Sequence, residues 1–541
     1  MVAALDEALA AWQLLLGPER VLQHADQLAP YAASTSAHPV WPLAVLRPLS
    51  HAEVVGVVRA AAEFSIPLYP LSTGRNWGYG DACPSGAGQV IVDLSGMRRI
   101  LQLDTELAYA VLEPGVTQVQ LANHLGAQQA PVWMDCTGAG PDTSLVGNIL
   151  ERGFGHTPYG NRMLHVAGMR LVLASGETLQ TGFGHFSAAR TTYLYPYGVG
   201  PWLDGLFTQS NFGIVTSLGL WLMPQSEMVS HLVASVEHFN GIAPVVDALR
   251  PLRMDGTLRS VVHIGNDLRV LSGGMVFPAA EVPQGPPLPD ALRERLRSGA
   301  GIGAWTVSAA LYGRPAQVAD ARRALRRAIG GLARLRFIDD RALDWGSAAA
   351  RLLGSGRAGQ RLAAQVDLGR SLLNMNRGVP DGRFLAGAYW RRRGGLPPAF
   401  PQGADPARDG CGMMWLAPVL PLRGAELLHV IGLVAPVFAA QRFDLFTTFS
   451  MINERTLGGV LTVCFDREDA DETERAQACY SAAFERLLRE GYIPYRVGPQ
   501  SMAALDNGDD SYWRTVARIK AALDPQRIFA PGRYDGRYDG R

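Results

Sequence analysis

A glycine-rich segment at residues 72–80 (STGRNWGYG) is the feature that most constrains the fold of this chain. It follows an apolar run at residues 67–71 that is typical of a short strand. Its glycines permit tight turns, and successive backbone N–H groups in such a turn can surround an anion. With the charge of Arg75, the segment predicts a phosphate-binding loop; a glycine-rich β-turn without a ligand is the alternative. The segment is neither GxGxxG nor a Walker A loop, so the ordinary nucleotide fingerprints are absent.

Three other segments also contain glycines at which the backbone could approach a ligand closely. They are EPGVT at residues 113–117, a stretch from VGN at 146–148 to ERGFGHTPYG at 151–160, and SNFGIVTSLGLWLMP at 210–224. Their glycines let the backbone approach a neighbour closely, and Asn148 can both donate and accept hydrogen bonds. Each segment alone is weak evidence for a ligand, so their order along the chain is the stronger signal.

Two patterns of predicted secondary structure divide the 541 residues, which are too many for one ordinary core. The first pattern predicts strands at 67–71, 89–94, 108–113, 169–173 and 214–222, and helices at 52–64 and 116–125. The second predicts helices at 245–252, 319–335 and 472–490, with a strand at 305–311. Residues 376–412 are rich in Gly, Pro, Arg and Asp, which is typical of a functional or disordered loop. We therefore predict an α+β chain with a second α/β domain.

Charge and cysteine content exclude several classes of protein. The formal net charge of +1 gives no reason to expect a nucleic acid or an anionic membrane as partner. No apolar run reaches the length of about 20 residues that spans a bilayer. Residues 1–17 lack a basic start, so they predict an amphipathic helix and not a signal peptide. We expect a soluble chain, cytoplasmic or, if exported with a partner, periplasmic. Without CxxC or CxxCH, neither a zinc site nor a covalently bound c-type haem is expected.

The ordered segments resemble the vanillyl-alcohol oxidase and 4-cresol dehydrogenase family. STGRNxGYG, EPGVT, VGNxxERGxGxTPYG and SNFGIVTxxGxWLMP follow one another as in its flavin-binding half, and MMWLAPV, GYIPYRV and DPQRIFAPGR continue the likeness to residue 533. The resemblance implies a two-domain FAD-binding fold with an α/β cap domain. It places the FAD domain at residues 1–227, the cap domain at 228–490, and a C-terminal segment, 491–541, back in the FAD domain.

The resemblance also implies which residues hold FAD, with the pyrophosphate on residues 72–80. These residues are Ser72, Thr73, Gly74, Arg75, Asn76, Gly78, Glu113, Pro114, Gly115, Gly147, Asn148, Gly153, Gly155, Thr157, Pro158, Tyr159, Gly213, Ile214, Val215, Tyr389 and Arg533. Tyr389, in AYWR, is the candidate for a tyrosyl link to the flavin, and tight non-covalent binding is the alternative. The histidine that links flavin in the oxidases is replaced by Met413, so a histidyl link is not expected.

The same resemblance assigns the phenol oxygen of a substrate to Tyr79, Tyr495 and Arg496, and places Arg533 near the flavin, where it could balance the charge of the reduced ring. A phenol has a pKa of about 10, and binding it as phenolate at neutral pH requires about 4 kcal/mol. Two tyrosine O–H donors and a guanidinium can supply this through charge-assisted hydrogen bonds. The alternative is two core tyrosines and a surface arginine.

Departures from the family predict a different substrate. The acidic residue that the oxidases place before the Gly-Asn motif falls at Gly138 or Ala139, as in the dehydrogenase branch. The cap-domain acids and histidine of 4-cresol dehydrogenase have no clear match. Instead, the predicted substrate pocket comprises Met414, Trp415, Thr448 and Asn453. The segment at 446–463 that replaces the lost cap-domain acids is Gly-rich and lined by Ser and Thr, which predicts room for a group longer than methyl.

The sequence therefore predicts an FAD-dependent 4-alkylphenol dehydrogenase or hydroxylase. Its substrate would be an alkyl- or allylphenol such as eugenol, oxidised to a p-quinone methide to which water adds. Electrons would pass to a c-type cytochrome in another chain, and a homodimer is expected. One alternative is an oxygen-using phenol or alcohol oxidase that produces hydrogen peroxide. Another, of a different class, is a non-catalytic FAD-fold binding subunit.

Overall fold

A computed structural model describes residues 2–506 and 510–535. The strands of this part of the chain are β1 (Val21–Leu22), β2 (Val45–Leu46), β3 (Leu68–Leu71), β4 (Val90–Asp93), β5 (Ile100–Asp104), β6 (Tyr109–Leu112), β7 (Val132–Trp133), β8 (Val166–Val172), β9 (Thr178–Gln180), β10 (Ile214–Trp221), β11 (Met223–Pro224), β12 (Met228–Val236), β13 (Val262–Asn266), β14 (Trp305–Gly313), β15 (Arg334–Ile338), β16 (Cys411–Leu416), β17 (Val419–Pro421), β18 (Phe446–Met451) and β19 (Thr456–Asp466). The α-helices are α1 (Val2–Leu16), α2 (Ala25–Ala32), α3 (His51–Phe64), α4 (Gln118–Ala127), α5 (Leu145–Leu150), α6 (Ile242–Met254), α7 (Asp267–Leu271), α8 (Asp290–Ala300), α9 (Pro315–Ile329), α10 (Asp340–Leu353), α11 (Arg357–Met375), α12 (Gly424–Ala440), α13 (Ala470–Arg489), α14 (Pro499–Met502) and α15 (Ser511–Leu523).

Two larger sheets organise the N-terminal half. Strands β1, β2, β4 and β3 lie side by side in that order, and β2, β4 and β3 run parallel. Strands β5, β6, β10, β8 and β9 form an antiparallel sheet. Helix α3 covers the first sheet because its apolar residues recur at helical spacing and are fully buried: Val54, Val57, Val58 and Ala61. The glycine-rich segment at 72–80 leaves β3 at the carboxyl ends of the parallel strands, where ligands commonly bind.

One large sheet, with order β15-β12-β14-β13-β18-β19-β16 and β17 beside β19, organises the middle of the chain. Side chains alternate across it. One face is apolar and packs against α6, α9, α12 and α13 to form a single core that includes Ile264, Phe449 and Val463. The opposite face carries polar residues on four neighbouring strands, among which His263 lies opposite Ser308 and Ser450: His231, His263, Ser308, Thr448 and Ser450. We call this second face the polar face of the large sheet.

The C-terminal segment returns to the N-terminal half. The backbone N–H of Leu68 donates to the carbonyl of Ile528 at 2.6 Å, and that of Ala530 donates to the carbonyl of Leu68 at 2.7 Å. The buried ammonium of Lys520 donates to the Asp524 carboxylate at 2.6 Å and to the Asn211 carbonyl at 2.7 Å. The large sheet begins with β12 at residue 228, and the C-terminal segment bonds to β3 of the N-terminal half. Both observations support the predicted boundaries at 227/228 and 490/491, which stay a prediction. Residues 536–541 of the third predicted segment lie outside the described residues.

Most predicted elements are confirmed, with small shifts of their ends, but one prediction is wrong. The helix predicted over 319–335 ends at Ile329, and Arg334–Ile338 forms strand β15. Gly330 and Gly331 end the helix, because glycine is unfavourable within helices. In the long segment at 376–412, Gly382–Tyr389 forms a 3-10 helix. No helix in the described ranges is long and apolar enough to cross a membrane.

Candidate functional site

The loop at residues 72–80 offers backbone donors to an anion. Gly74 and Gly78 have positive φ angles of 68° and 73°, which glycine adopts without strain. Within the part of the chain that the structure describes, the backbone N–H groups of the four residues 74–77 have no acceptor. The Arg75 guanidinium pairs with the Asp405 carboxylate at 2.5 Å beside them. Four adjacent N–H groups without acceptors are available to donate to an anionic group.

Several other glycines predicted to hold FAD are required by close contacts within the chain. A Cβ at Gly147 would lie 2.1 Å from Ser72 Oγ, and one at Gly155 would lie 1.8 Å from a carboxylate oxygen of Asp135. A Cβ at Gly153 would meet the Asn148 amide at 2.3 Å. The contact of Gly147 with Ser72 places the start of the second segment against the start of the 72–80 loop. The contacts of Gly153 and Gly155 fix the turn that follows against Asn148 and Asp135.

The remaining predicted FAD residues fall into three groups. Glu113 accepts hydrogen bonds from Arg99, Pro114 accepts one from the Ser144 hydroxyl, and a Cβ at Gly115 would meet the Ser95 carbonyl, so this turn is fixed by its own chain. Around the second loop, Thr157 donates to Asp135 and Asn148 accepts from Arg162. Pro158 follows Thr157 in sequence, and the next residue, Tyr159, stacks on His165. Gly213 precedes β10, where Ile214 and Val215 lie in apolar cores.

A buried ion pair that the sequence did not single out anchors the second loop. Arg162 donates to a carboxylate oxygen of Asp135 at 2.7 Å, and both side chains are almost fully buried. The other oxygen of Asp135 accepts from the backbone N–H groups of His156 and Thr157, at 3.1 and 2.9 Å. This network holds residues 154–157 against the polar face of the large sheet.

The four residues predicted to act on the substrate converge, although they lie more than 400 residues apart in sequence at their extremes. The Arg496 guanidinium carbon lies 4.5 Å from the centre of the Tyr79 ring, and Tyr495 faces the same space. Arg496 also contacts Asn76 of the glycine-rich loop. Arg533 donates to the Tyr69 hydroxyl at 2.6 Å. The phenol-binding candidates therefore border the proposed flavin loop.

Glu151 provides a counter-charge for both arginines. Its carboxylate lies 3.3 Å from Nε of Arg496 and contacts the Arg533 guanidinium directly. Burial and the neighbouring Tyr495 hold the pKa of Tyr79 well above its ordinary value. Burial also raises the pKa of Tyr495, against the lowering effect of Arg496. Both phenols therefore stay protonated at neutral pH, and the buried Tyr79 hydroxyl faces the Tyr495 hydroxyl, with no other acceptor of good geometry. The arrangement can donate two O–H groups and a positive charge to an anionic oxygen.

Tyr389 is fully buried beside Trp77 of the glycine-rich loop. Its hydroxyl donates to the Asp409 carboxylate at 2.5 Å, and burial together with this carboxylate raises the pKa of the tyrosine. The backbone N–H of Asp405 donates to the same carboxylate at 3.1 Å, and Asp405 in turn pairs with Arg75. A chain of contacts thus links Tyr389 to the anion-binding loop.

The predicted pocket residues do not all share one location. The Trp415 ring packs edge-on against Tyr79 with centroids 5.4 Å apart, and Thr448 lies on the polar face of the large sheet. Met414, one residue before Trp415, points to the opposite face and is fully buried in the cap core. The Asn453 side chain accepts from the backbone N–H groups of Arg455 and Thr456, so it stabilises the turn between β18 and β19. The structure therefore brings Trp415 to Tyr79, places Thr448 on the polar face, and leaves Met414 and Asn453 outside the site.

Three histidines, none of which was predicted, lie between the polar face and the second loop. The rings of His156 and His263 have centroids 4.3 Å apart, and His231 lies on the polar face two strands away. Burial lowers the pKa of His156 to about 3 and that of His231 to about 4, and it holds the pKa of His263 well below its ordinary value. All three imidazoles are therefore neutral at pH 7. Polar residues alternating with apolar ones in β12 and β13 were the available signal.

Comparison with known proteins identifies the cofactor. An FAD-binding domain family matches residues 42–182. The chain is 38% identical to 1'-carboxy-chondrochloren decarboxylase of Chondromyces crocatus, over 99% of this chain and 98% of the relative. It is 32% identical to the flavoprotein subunit of 4-cresol dehydrogenase (hydroxylating) of Pseudomonas putida, over 98% of this chain and 95% of the relative. FAD is therefore the cofactor, as predicted.

Two solved structures confirm the predicted fold class. The crystal structure of p-cresol methylhydroxylase with substrate bound matches with a TM-score of 0.86 and 31% identity, over 99% of this chain and 97% of that one. A 4-ethylphenol oxidase from Gulosibacter chungangensis, in complex with isoeugenol, matches with a TM-score of 0.87 and 26% identity, over the same shares of the two chains. The α+β architecture with an FAD-binding domain is thus established for this chain.

Proposed function

The chain belongs to the family of vanillyl-alcohol oxidase and the 4-cresol dehydrogenase flavoprotein subunit, and from this premise we propose that it oxidises a para-substituted alkyl- or allylphenol. The observation that carries the proposal is the convergence of Tyr79, Tyr495 and Arg496 in one buried space beside the flavin loop. Two protonated tyrosines and one guanidinium form a site for a phenolate oxygen. The Tyr79 hydroxyl faces only the Tyr495 hydroxyl and has no other acceptor of good geometry among the described residues, so both O–H groups can turn to a phenolate oxygen.

In this proposal the side chains bind and orient the phenol, and the bound FAD supplies the acceptor for a hydride from the carbon attached to the ring. Tyr79 and Tyr495 donate hydrogen bonds to the phenol oxygen and Arg496 stabilises its negative charge. The Trp415 ring, edge-on to Tyr79, limits the orientations that the aromatic ring can take. Arg533 balances the negative charge that reduction brings. The residues 74–77 hold the pyrophosphate through their free N–H groups.

The oxidised phenol then takes up water to give an alcohol, or loses a proton to give an alkene. Thr448 and Ser450, on the polar face, can bind a water molecule through their hydroxyls. We propose that electrons leave through a c-type cytochrome of another chain, since Gly138, Ala139 and Met413 stand where the oxidase branch has its acidic residue and its histidine. An oxidase that reduces oxygen is the alternative, because a 4-ethylphenol oxidase is 26% identical to this chain. Oxygen consumption during turnover separates the two.

A relative favours a second candidate function. The 38% identical protein is named as a decarboxylase of a 1'-carboxy compound. By analogy, the substrate of this chain would be a phenol whose side chain carries a carboxyl group that is lost after oxidation. Carbon dioxide release, measured beside hydride transfer, distinguishes this outcome from hydroxylation.

The experiment that tests the proposed function is anaerobic mixing of the purified holoenzyme with 4-alkyl- and 4-allylphenols, followed at the flavin absorbance band. Bleaching by para-substituted phenols, and not by their meta isomers, is expected. A protein that purifies without yellow colour would instead support the non-catalytic binding subunit. Acid precipitation of the same sample tests the proposed Tyr389 link: colour that stays with the pellet supports a covalent bond, and colour wholly in the supernatant contradicts it.

A further inference from the structure

Arg269, on helix α7, has a guanidinium without an anionic partner. Within residues 2–506 and 510–535, this group makes no hydrogen bond or ion pair. Its side chain is partly exposed, burial around the guanidinium lowers its pKa, and its Nη1 atom lies 2.5 Å from the position that a Cβ on Gly387 would take. Arginine nevertheless stays protonated in proteins. A cation that is partly withdrawn from water and has no counter-charge is costly, so its presence points to a ligand that supplies one.

The neighbouring acidic groups cannot supply that charge. Asp267, two residues earlier, is occupied by Arg293, which donates to both of its carboxylate oxygens at 2.9 and 2.6 Å. Cys464 is the acidic group whose charge would act on Arg269, but burial raises the pKa of this thiol to about 12. The thiol is therefore neutral at pH 7.

Two neutral histidines face the same region. The Cγ atom of Arg269 lies 3.5 Å from the position that a Cβ on Gly265 would take, and Gly265 lies on β13 two residues after His263, on the same face of the sheet. The charge of Arg269 lowers the pKa of both His156 and His263. Nδ1 of His263 is hydrogen-bonded to the Ser450 hydroxyl at 2.9 Å. Its buried Nε2 atom makes no hydrogen bond of good geometry, although the Gly155 carbonyl lies near it. When Ser450 donates to Nδ1, Nε2 carries the proton and can donate it to an anion.

A row of rings connects this region to the phenol site. The centroid of the Phe154 ring lies 5.9 Å from that of Tyr495 and 6.2 Å from that of His263. One aromatic ring thus separates the proposed phenol-binding tyrosine from the histidines. A substrate whose phenol oxygen contacts Tyr495 would direct its para substituent along the polar face towards Arg269.

We propose that Arg269, together with His156 and His263, forms an anion subsite that binds a carboxylate on the side chain of the phenolic substrate. This inference rests on the proposed function and narrows its substrate class to phenols with an acidic side chain. The flavin does not require this cation, since the loop at 74–77 with Arg75 faces the pyrophosphate and Arg533 is assigned to the ring. Arg269 is thus a specificity-determining residue, because its charge selects the acid over a neutral side chain of the same shape.

Binding of two matched, unreactive ligands tests the subsite. 4-Hydroxycinnamate and 4-hydroxycinnamamide share one shape, carry no hydride on a saturated carbon, and differ in charge. Titration of the holoenzyme, followed by the change in flavin absorbance, is expected to give a dissociation constant at least tenfold lower for the acid. Equal constants would overturn the proposal without recourse to any variant.

Variants then assign the preference to its residue. Arg269→Met, which keeps the length and removes the charge, is expected to abolish the tenfold preference and to leave binding of the amide within about twofold. Arg269→Lys should retain part of the preference. Arg334→Met, at an exposed arginine paired with Glu237 elsewhere in the cap domain, is the control and should change neither constant. If Arg269→Met does not fold, the lysine variant and the wild-type comparison of acid with amide still test the anion subsite.

Other outcomes separate the competing explanations. If Arg269→Met weakens acid and amide equally, or shifts the flavin midpoint potential, the arginine acts on the fold or the flavin and the subsite is refuted. Failure of the proposed function looks different: no para-alkylphenol would bleach the flavin and neither cinnamic ligand would bind.

Discussion

The two ends of the proposed pocket hold their arginines in different ways. At the phenol end, Arg496 and Arg533 share the Glu151 carboxylate, and two protonated tyrosines complete the arrangement. At the far end, Arg269 has no partner among the described residues, and its neighbours are neutral histidines. At the first end a carboxylate already contacts both cations before a ligand arrives, although two arginines and one carboxylate leave a net charge of +1. At the second end no carboxylate of the described residues contacts the cation.

This difference teaches what each end can bind. A phenol is neutral in water near pH 7 and becomes an anion only when the site lowers its pKa, so fixed O–H donors matter there more than net charge. A carboxylate is already an anion in water, and binding it requires a cation that offsets the loss of hydration. The predictions below probe this contrast.

Removing the cation of the phenol end is expected to have the largest effect. Arg496→Met should lower kcat/KM for a para-alkylphenol by at least about 10²-fold, by analogy with the loss of one donor to a developing oxyanion. Steady-state rates with an artificial electron acceptor measure this. Tyr495→Phe removes one hydrogen-bond donor and keeps the ring, and it should also lower kcat/KM. Near-native rates in Arg496→Met would show that the phenol oxygen binds elsewhere.

Removing the counter-charge should act in the opposite direction. Glu151→Gln takes away the carboxylate that faces Arg496 and Arg533, so the site should attract a phenolate more strongly. Binding of 4-hydroxycinnamamide should become roughly tenfold tighter, because removing one charge from a partly buried site is worth about 1–2 kcal/mol. Flavin absorbance titration at pH 7 checks the change. Weaker binding would mean that Glu151 matters because it holds the two arginines in position.

The histidines at the far end predict how stability depends on pH. His156 has a folded pKa of about 3, below the ordinary value of about 6.5, so the unfolded chain binds more protons between these values. Its contribution to stability is therefore complete above pH 6.5 and is lost as the pH falls towards 3. His156→Asn should reduce the loss of unfolding free energy between pH 7 and 5 by about 1–2 kcal/mol. Urea titrations at both pH values measure it.

The matched control is His185→Asn, since His185 is exposed and lies in the N-terminal half, away from the pocket. It should leave the pH dependence of unfolding unchanged. An equal effect of both variants would contradict the assignment to the buried ring of His156.

The sequence predicted the phenol end better than the far end, for physical reasons. Tyr79, Tyr495 and Arg496 lie in motifs whose order along the chain is informative, so their convergence could be anticipated. Met414 could not be placed, because the face that a strand residue occupies depends on register, and a shift of one residue reverses it. Arg269 was missed because the lack of a counter-charge is a property of the folded neighbourhood, and its sequence neighbour Asp267 would have suggested an ordinary ion pair.

The smallest predicted effect concerns the length of the side chain between the two ends. Thr448 and Ser450, on the polar face, are small residues along the path from Tyr495 to Arg269, so we expect space for more than a methyl group. Each additional buried methylene adds about 0.8 kcal/mol to binding, or roughly fourfold. The kcat/KM for 4-propylphenol should therefore exceed that for 4-cresol by about fourfold to sixteenfold under one electron acceptor. Thr448→Val, which keeps the volume and removes the hydroxyl, is a control that should preserve the order of the two substrates. A preference for 4-cresol would mean that the pocket closes before the polar face, and the anion subsite at Arg269 would then be out of reach of any para substituent.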